Sequence, residues 1–141
     1  MFSPTRDQAR RFFIEAWDKR RRGLPLTALE QMAADIVAVH PEYHGLLERG
    51  EAALAQEWTP EQGQANPFLH LSLHLAIEEQ LSIDQPPGIR AAFATLQLAR
   101  GERHAALHQA LECLGEAVWR AERDRSPPDG DAYLDCLRRS V

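Results

Sequence analysis

Asn66-Pro67-Phe68-Leu69-His70-Leu71-Ser72-Leu73-His74-Leu75-Ala76-Ile77-Glu78-Glu79-Gln80-Leu81 is the stretch whose reading decides the fold. Asparagine followed by proline is an N-cap and N1 signal, so the pattern predicts a helix running to about Leu81. Leu71, Leu73, Leu75 and Ile77 make that helix apolar around most of its circumference. Such a helix has no face for water and must be buried among other elements.

Those other elements are helices too. No stretch alternates apolar and polar residues with β-branched enrichment, so strands are not expected. Downstream, Pro86-Pro87-Gly88 marks a turn, 89–100 a helix, Gly101 its C′ residue and 102–124 a longer helix. Ser126-Pro127-Pro128-Asp129-Gly130 breaks the chain before a last helix at about 131–139. Upstream, Ser3-Pro4 opens a helix to about Arg22, with Phe13, Ile14 and Trp17 on its apolar face and Phe12 at the edge. Thr27-Ala28-Leu29-Glu30 is a capping box opening a helix to about Val39. His40-Pro41 interrupts it, and a short helix follows at roughly 41–49. Residues 59–65 form a polar loop. The expected fold is all-α: a compact bundle of six to seven helices in a single domain, 1–141.

Composition fits a globular chain: 141 residues, 44% hydrophobic, net charge −5. No apolar run reaches the roughly 18 residues of a membrane span, and the start lacks the apolar core of a secretory signal. Two cysteines, Cys113 and Cys136, do not suggest a disulfide framework. Cys113 is expected in the core, and a reducing cytoplasm is the expected setting. Charge is uneven: residues 1–22 carry +4, 23–89 carry −9, and 90–141 are neutral. The basic run Lys19-Arg20-Arg21-Arg22 ends a helix, where cations complement the helix dipole, so nucleic-acid binding is not expected. Trp17, Trp58, Trp119, Phe2, Phe12, Phe13 and Phe68 read as packing residues.

The six histidines carry the chemistry. They form three pairs at spacing i, i+4: His40/His44, His70/His74 and His104/His108. Random placement would give roughly 0.2 such pairs. At that spacing two imidazoles share one helix face and can chelate one metal ion. Two pairs extend to carboxylates: His70, His74, Glu78 and His104, His108, Glu112 both read H-x3-H-x3-E. Each motif spans about 12 Å, so one ion cannot take all three groups of one motif, and two helices or two ions are needed. With turns at Pro86-Pro87-Gly88 and Gly101, the two motif helices run parallel in matched register. That register would set His74 opposite His108 and Glu78 opposite Glu112.

The stretch from Asn66 to Arg90 resembles the central signature of a bacterial family called domain of unknown function 1841. The segment through Trp17, His40-Pro-Glu-Tyr-His44 and Glu112-Cys-Leu-Gly-Glu116 fit that family as well. The resemblance implies a single-domain cytosolic protein and carries no activity with it. Paired i, i+4 ligands on bundled helices are also similar, as architecture, to hemerythrin-like and DinB-like metal proteins.

The expected function is therefore a helical metalloprotein with a mono- or dinuclear centre holding zinc, iron or manganese. His70, His74, His104 and His108 would be ligands. Glu78 and Glu112 would be ligands or a general base, and His40 and His44 would complete or support the shell. Zinc would favour a hydrolase and an iron pair an oxygen-binding protein, with the substrate open. The alternative is a metal-free adaptor or homodimerisation module. It would bury a histidine–glutamate network and pair its basic N-terminal helix with the acidic 23–89 region of a second copy.

Overall fold

Asn66 opens its helix as its side chain predicts: Oδ1 accepts from the amides of Phe68 at 3.0 Å and Leu69 at 3.3 Å. In the computed structural model, which describes residues 6–56 and 66–141, that helix runs Pro67–Ile83. Leu71, Leu75 and Ile77 on it are at most 1% exposed, and Leu69 near its start is 56% exposed. The described residues form eight α-helices and one 3₁₀ turn, with no strand among them. The all-α expectation holds, and the helix count rises by at least one. No described helix is long and apolar enough to cross a membrane.

The chain divides into two compact units, Met1–Leu75 and Ala76–Val141. In the first unit, α1 (Arg6–Arg21), α2 (Ala28–Ala38), the 3₁₀ turn (Pro41–Tyr43), α3 (His44–Glu48) and α4 (Glu51–Leu54) precede the start of α5 (Pro67–Ile83). Its core joins Phe13 and Trp17 of α1, Ile36 and Val37 of α2, Leu46 and Leu47 of α3, and Phe68, Leu71 and Leu75 of α5. Each such side chain contributes about 1.5–3 kcal/mol by leaving water, several times the worth of an exposed ion pair. The core therefore sets this unit, and charge trims it. Ser3, Pro4, Phe2 and Trp58 lie outside the described residues, as does the expected loop at 59–65.

The single helix expected at 41–49 is divided. Pro41 starts a 3₁₀ turn, α3 follows, and Gly50 at φ +58° lets the chain turn into α4. The C-terminal carbonyls of so short a helix need donors from elsewhere. The buried Arg10 supplies them, donating to the carbonyls of Ala53, Leu54 and Gln56 at 3.2, 3.0 and 2.8 Å.

The basic end of α1 is answered within the same unit. Lys19 Nζ lies 2.6 Å from Glu30, Arg20 pairs with Asp35, and Arg21 reaches Glu48 at 4.0 Å. Glu30 also closes the predicted capping box, accepting from the Thr27 amide at 2.9 Å while Thr27 Oγ1 accepts from the Glu30 amide at 3.2 Å. The Lys19 hydrogen bond, then the Thr27 amide, hold the Glu30 carboxyl below its ordinary value of 4.5. A carboxyl depressed in the fold stabilises above its unfolded value and loses that contribution as pH falls through its folded one. Acid unfolding should therefore show a component below pH 4.5 that Glu30→Gln removes. Parallel acid titrations followed by circular dichroism check this.

The second unit holds the rest of α5 with α6 (Ile89–Arg100), α7 (Arg103–Asp124) and α8 (Gly130–Arg139). Arg90 caps the end of α5, donating to the carbonyls of Leu81 and Ser82, both at 2.6 Å. Gly101 ends α6 at φ +85°, the left-handed conformation a C′ glycine supplies. Asp129 caps α8 through the Ala132 amide at 3.1 Å. Phe93 and Leu96 of α6, Leu111 and Leu114 of α7, and Leu134 and Leu137 of α8 are buried.

Two expectations are corrected here. Cys113 and Cys136 form a disulfide between α7 and α8. Cys113 does sit in the core, 2% exposed, but a packed neighbouring helix brings Cys136 to a Cα separation of 5.8 Å. The bridge removes the cysteine argument on which the cytoplasmic setting rested. Trp119 is not a packing residue: it is 58% exposed, off the buried stripe of α7, with the Arg123 guanidinium 4.9 Å above its ring.

Candidate metal centre

The first unit brings three of the six histidines together. α2 ends at Ala38, and His40 follows as the residue before Pro41, 2% exposed. His70 and His74 stand one turn apart on α5; His74 is 2% exposed and His70 half-buried. The rings of His40 and His70 have centroids 5.1 Å apart, those of His40 and His74 4.7 Å, and those of His70 and His74 4.8 Å. Each offers a ring nitrogen, and these atoms lie within 4.8 Å of one another. Three imidazoles bound to a zinc ion at about 2.0–2.1 Å would need nitrogens only somewhat closer.

The tautomer of His40 is set by its neighbour. Its Nδ1 lies 2.7 Å from the Ile36 carbonyl, which can only accept, so Nδ1 carries the proton. In the neutral ring Nε2 then holds the lone pair, and it lies 3.3 Å from His70 Nε2. Fixing one ring nitrogen on a carbonyl and presenting the other is how metal-binding histidines are held.

His44 goes elsewhere, although it is spaced i+4 from His40. Its Nε2 donates to the Val37 carbonyl at 2.8 Å, and its ring lies 4.4 Å from that of Trp17. The i, i+4 rule holds only within an α-helix, and the 3₁₀ turn at 41–43 lies between the two. His44 thereby fixes the turn that carries His40.

Tyr43 is the neighbour the histidine spacing did not indicate. Its ring is parallel to that of His40 (5.7 Å, 8°) and edge-on to that of His70 at 6.0 Å. Burial, and then Glu42, raise its phenol above the ordinary value. The signal was its place three residues after His40, because a 3₁₀ turn stacks i and i+3.

In the second unit, His104 and His108 keep their helical pairing, exposed on α7 with ring centroids 4.2 Å apart. Both oxygens of Glu78 are taken by Arg103, at 2.8 and 3.1 Å. Glu112 is exposed and accepts from Gln109 at 3.5 Å.

The family described as a domain of unknown function (DUF1841) matches residues 5–139. The chain belongs to DUF1841. The match takes in all six histidines, both cysteines and every helix from α1 to α8. No curated protein and no solved structure matches the chain.

Proposed function

We propose that this DUF1841 protein binds a divalent transition metal ion through His40, His70 and His74. The observation that carries the reading is the convergence of their ring nitrogens within 4.8 Å, with His40 locked by Ile36 to present Nε2. An imidazole donor set suits zinc or iron, whereas manganese prefers carboxylate and water oxygen. Of the three metals expected from the sequence, zinc and iron therefore fit better. His104 and His108 are the second unit's own candidate ligands. Glu78 is engaged by Arg103, which leaves it less suited to a ligand or base than its spacing promised.

The metal-free adaptor reading loses part of its motivation. The cations at the end of α1 already have acidic partners in the same unit, through Glu30, Asp35 and Glu48.

Elemental analysis of protein purified without a histidine tag tests the proposal. We expect about one equivalent of zinc or iron per chain, or its uptake on reconstitution after chelation. Protein that takes up less than about a tenth of an equivalent of any transition metal on reconstitution contradicts it.

A further inference from the structure

We propose that the Cys113–Cys136 bridge is a reducible latch: it holds α8 on α6 and α7, and a dithiol releases α8 while the rest of the second unit stays folded. The device does not depend on the metal reading. α8 needs its docking to be a helix at all. It has 10 residues, fewer than the roughly 12–15 at which an isolated helix is even marginal in water. Its buried side chains are Tyr133, Leu134 and Leu137, while Asp131, Asp135, Arg138 and Arg139 are exposed. α7 has 22 residues and buries Leu107, Leu111 and Leu114, and α6 buries Ile89, Phe93 and Leu96. These two helices pack on each other as well as on α8.

The connection to α8 adds little hold of its own. Residues 125–129 are all exposed, and Pro127 and Pro128 have no amide proton to donate. Two hydrogen bonds tie α8 down: the Tyr133 hydroxyl donates to Gln80 Oε1 at 2.8 Å, and Arg100 donates to the Ser140 carbonyl at 2.8 Å. Water can replace both partners. The covalent tie is the bridge, and its two sulfurs differ in access. Cys113 is 2% exposed and Cys136 is half-buried, so an attacking thiolate reaches Cys136. A dithiol forms a mixed disulfide with Cys136 Sγ as the Cys113–Cys136 bond breaks. Cys113 leaves with the electron pair and takes up a proton. Ser140 Oγ, 3.8 Å from Cys113 Sγ, is close enough to donate to the departing thiolate. The second thiol of the reagent then displaces Cys136, which takes the second proton. The bridge gains two electrons, and the dithiol is oxidised to its own disulfide.

Amide hydrogen exchange of the full chain, oxidised and in excess dithiothreitol, tests the latch in neutral buffer without denaturant. The reagent should reduce the bridge of the folded chain. Protection of the α8 amides should then fall about a hundredfold more than that of α6 and α7. Removing the reagent and reoxidising should restore it, and Cys136→Ala should show the reduced pattern without any reductant. A bridge that dithiothreitol opens only after denaturant is added overturns the inference. So does an α8 whose protection falls by the same factor as that of α6 and α7, whether that factor is small or large. A Cys136→Ala chain whose α8 is as protected as in the oxidised wild type overturns it too.

Discussion

Alanine in place of His70 should weaken zinc binding by more than about a hundredfold, beyond the 10–100-fold that loss of an outer-shell partner costs. The wild type and variant are compared by competition with a chromophoric chelator. His70 is the position to choose because it is half-buried, so truncation leaves little cavity. His74→Ala should lose affinity as well, but it also empties a site that is 2% exposed and would lower stability on its own account. His44→Ala is the discriminating control. Its imidazole touches Val37 and Trp17, so it should lower stability while holding zinc affinity to within about tenfold. Equal zinc affinity in wild type and His70→Ala, with unchanged circular dichroism, would remove His70 from the ligand set. Metal should also report on the fold: at a free concentration a hundred times Kd, a site absent from the unfolded chain adds about 2.7 kcal/mol.

Opening the Cys113–Cys136 bridge should cost about 3 kcal/mol. The two cysteines are 23 residues apart, and closing a loop of that length removes unfolded-chain entropy of this size. For a unit of 60–100 residues, that is a fall of about 12 °C or more in the melting temperature of the second unit. Melts with and without a reductant measure it, and Cys136→Ser should melt like the reduced wild type with no further response to reductant. Thiol titration of the unfolded, unreduced chain should find none free. Two free thiols in air-exposed protein would contradict the bridge.

Local chemistry made much of the fold legible. The Asn66 cap, the Thr27–Glu30 box and the break at Gly101 each act through neighbours within a few residues, so spacing alone exposes them. The apolar girth of α5 likewise announces burial. What stayed hidden depends on which faces meet. Cys113 looks like a spare core residue until α7 and α8 pack and bring Cys136 to it. Spacing paired His40 with His44, but a proline-initiated 3₁₀ turn turned His44 toward Trp17 and left His40 beside His70. Tyr43 entered through the same turn. The group of three is thus one i, i+4 pair joined by half of another, an arrangement that counting spacings cannot produce.

Zinc-edge X-ray absorption on the reconstituted protein, paired with anomalous diffraction from its crystals, tests the central claim most directly. The account predicts at least three imidazole nitrogens at about 2.0 Å from the ion. It also predicts an anomalous peak bounded by His40, His70 and His74. A shell of sulfur, or of oxygen alone, or a peak away from those three rings, would contradict it.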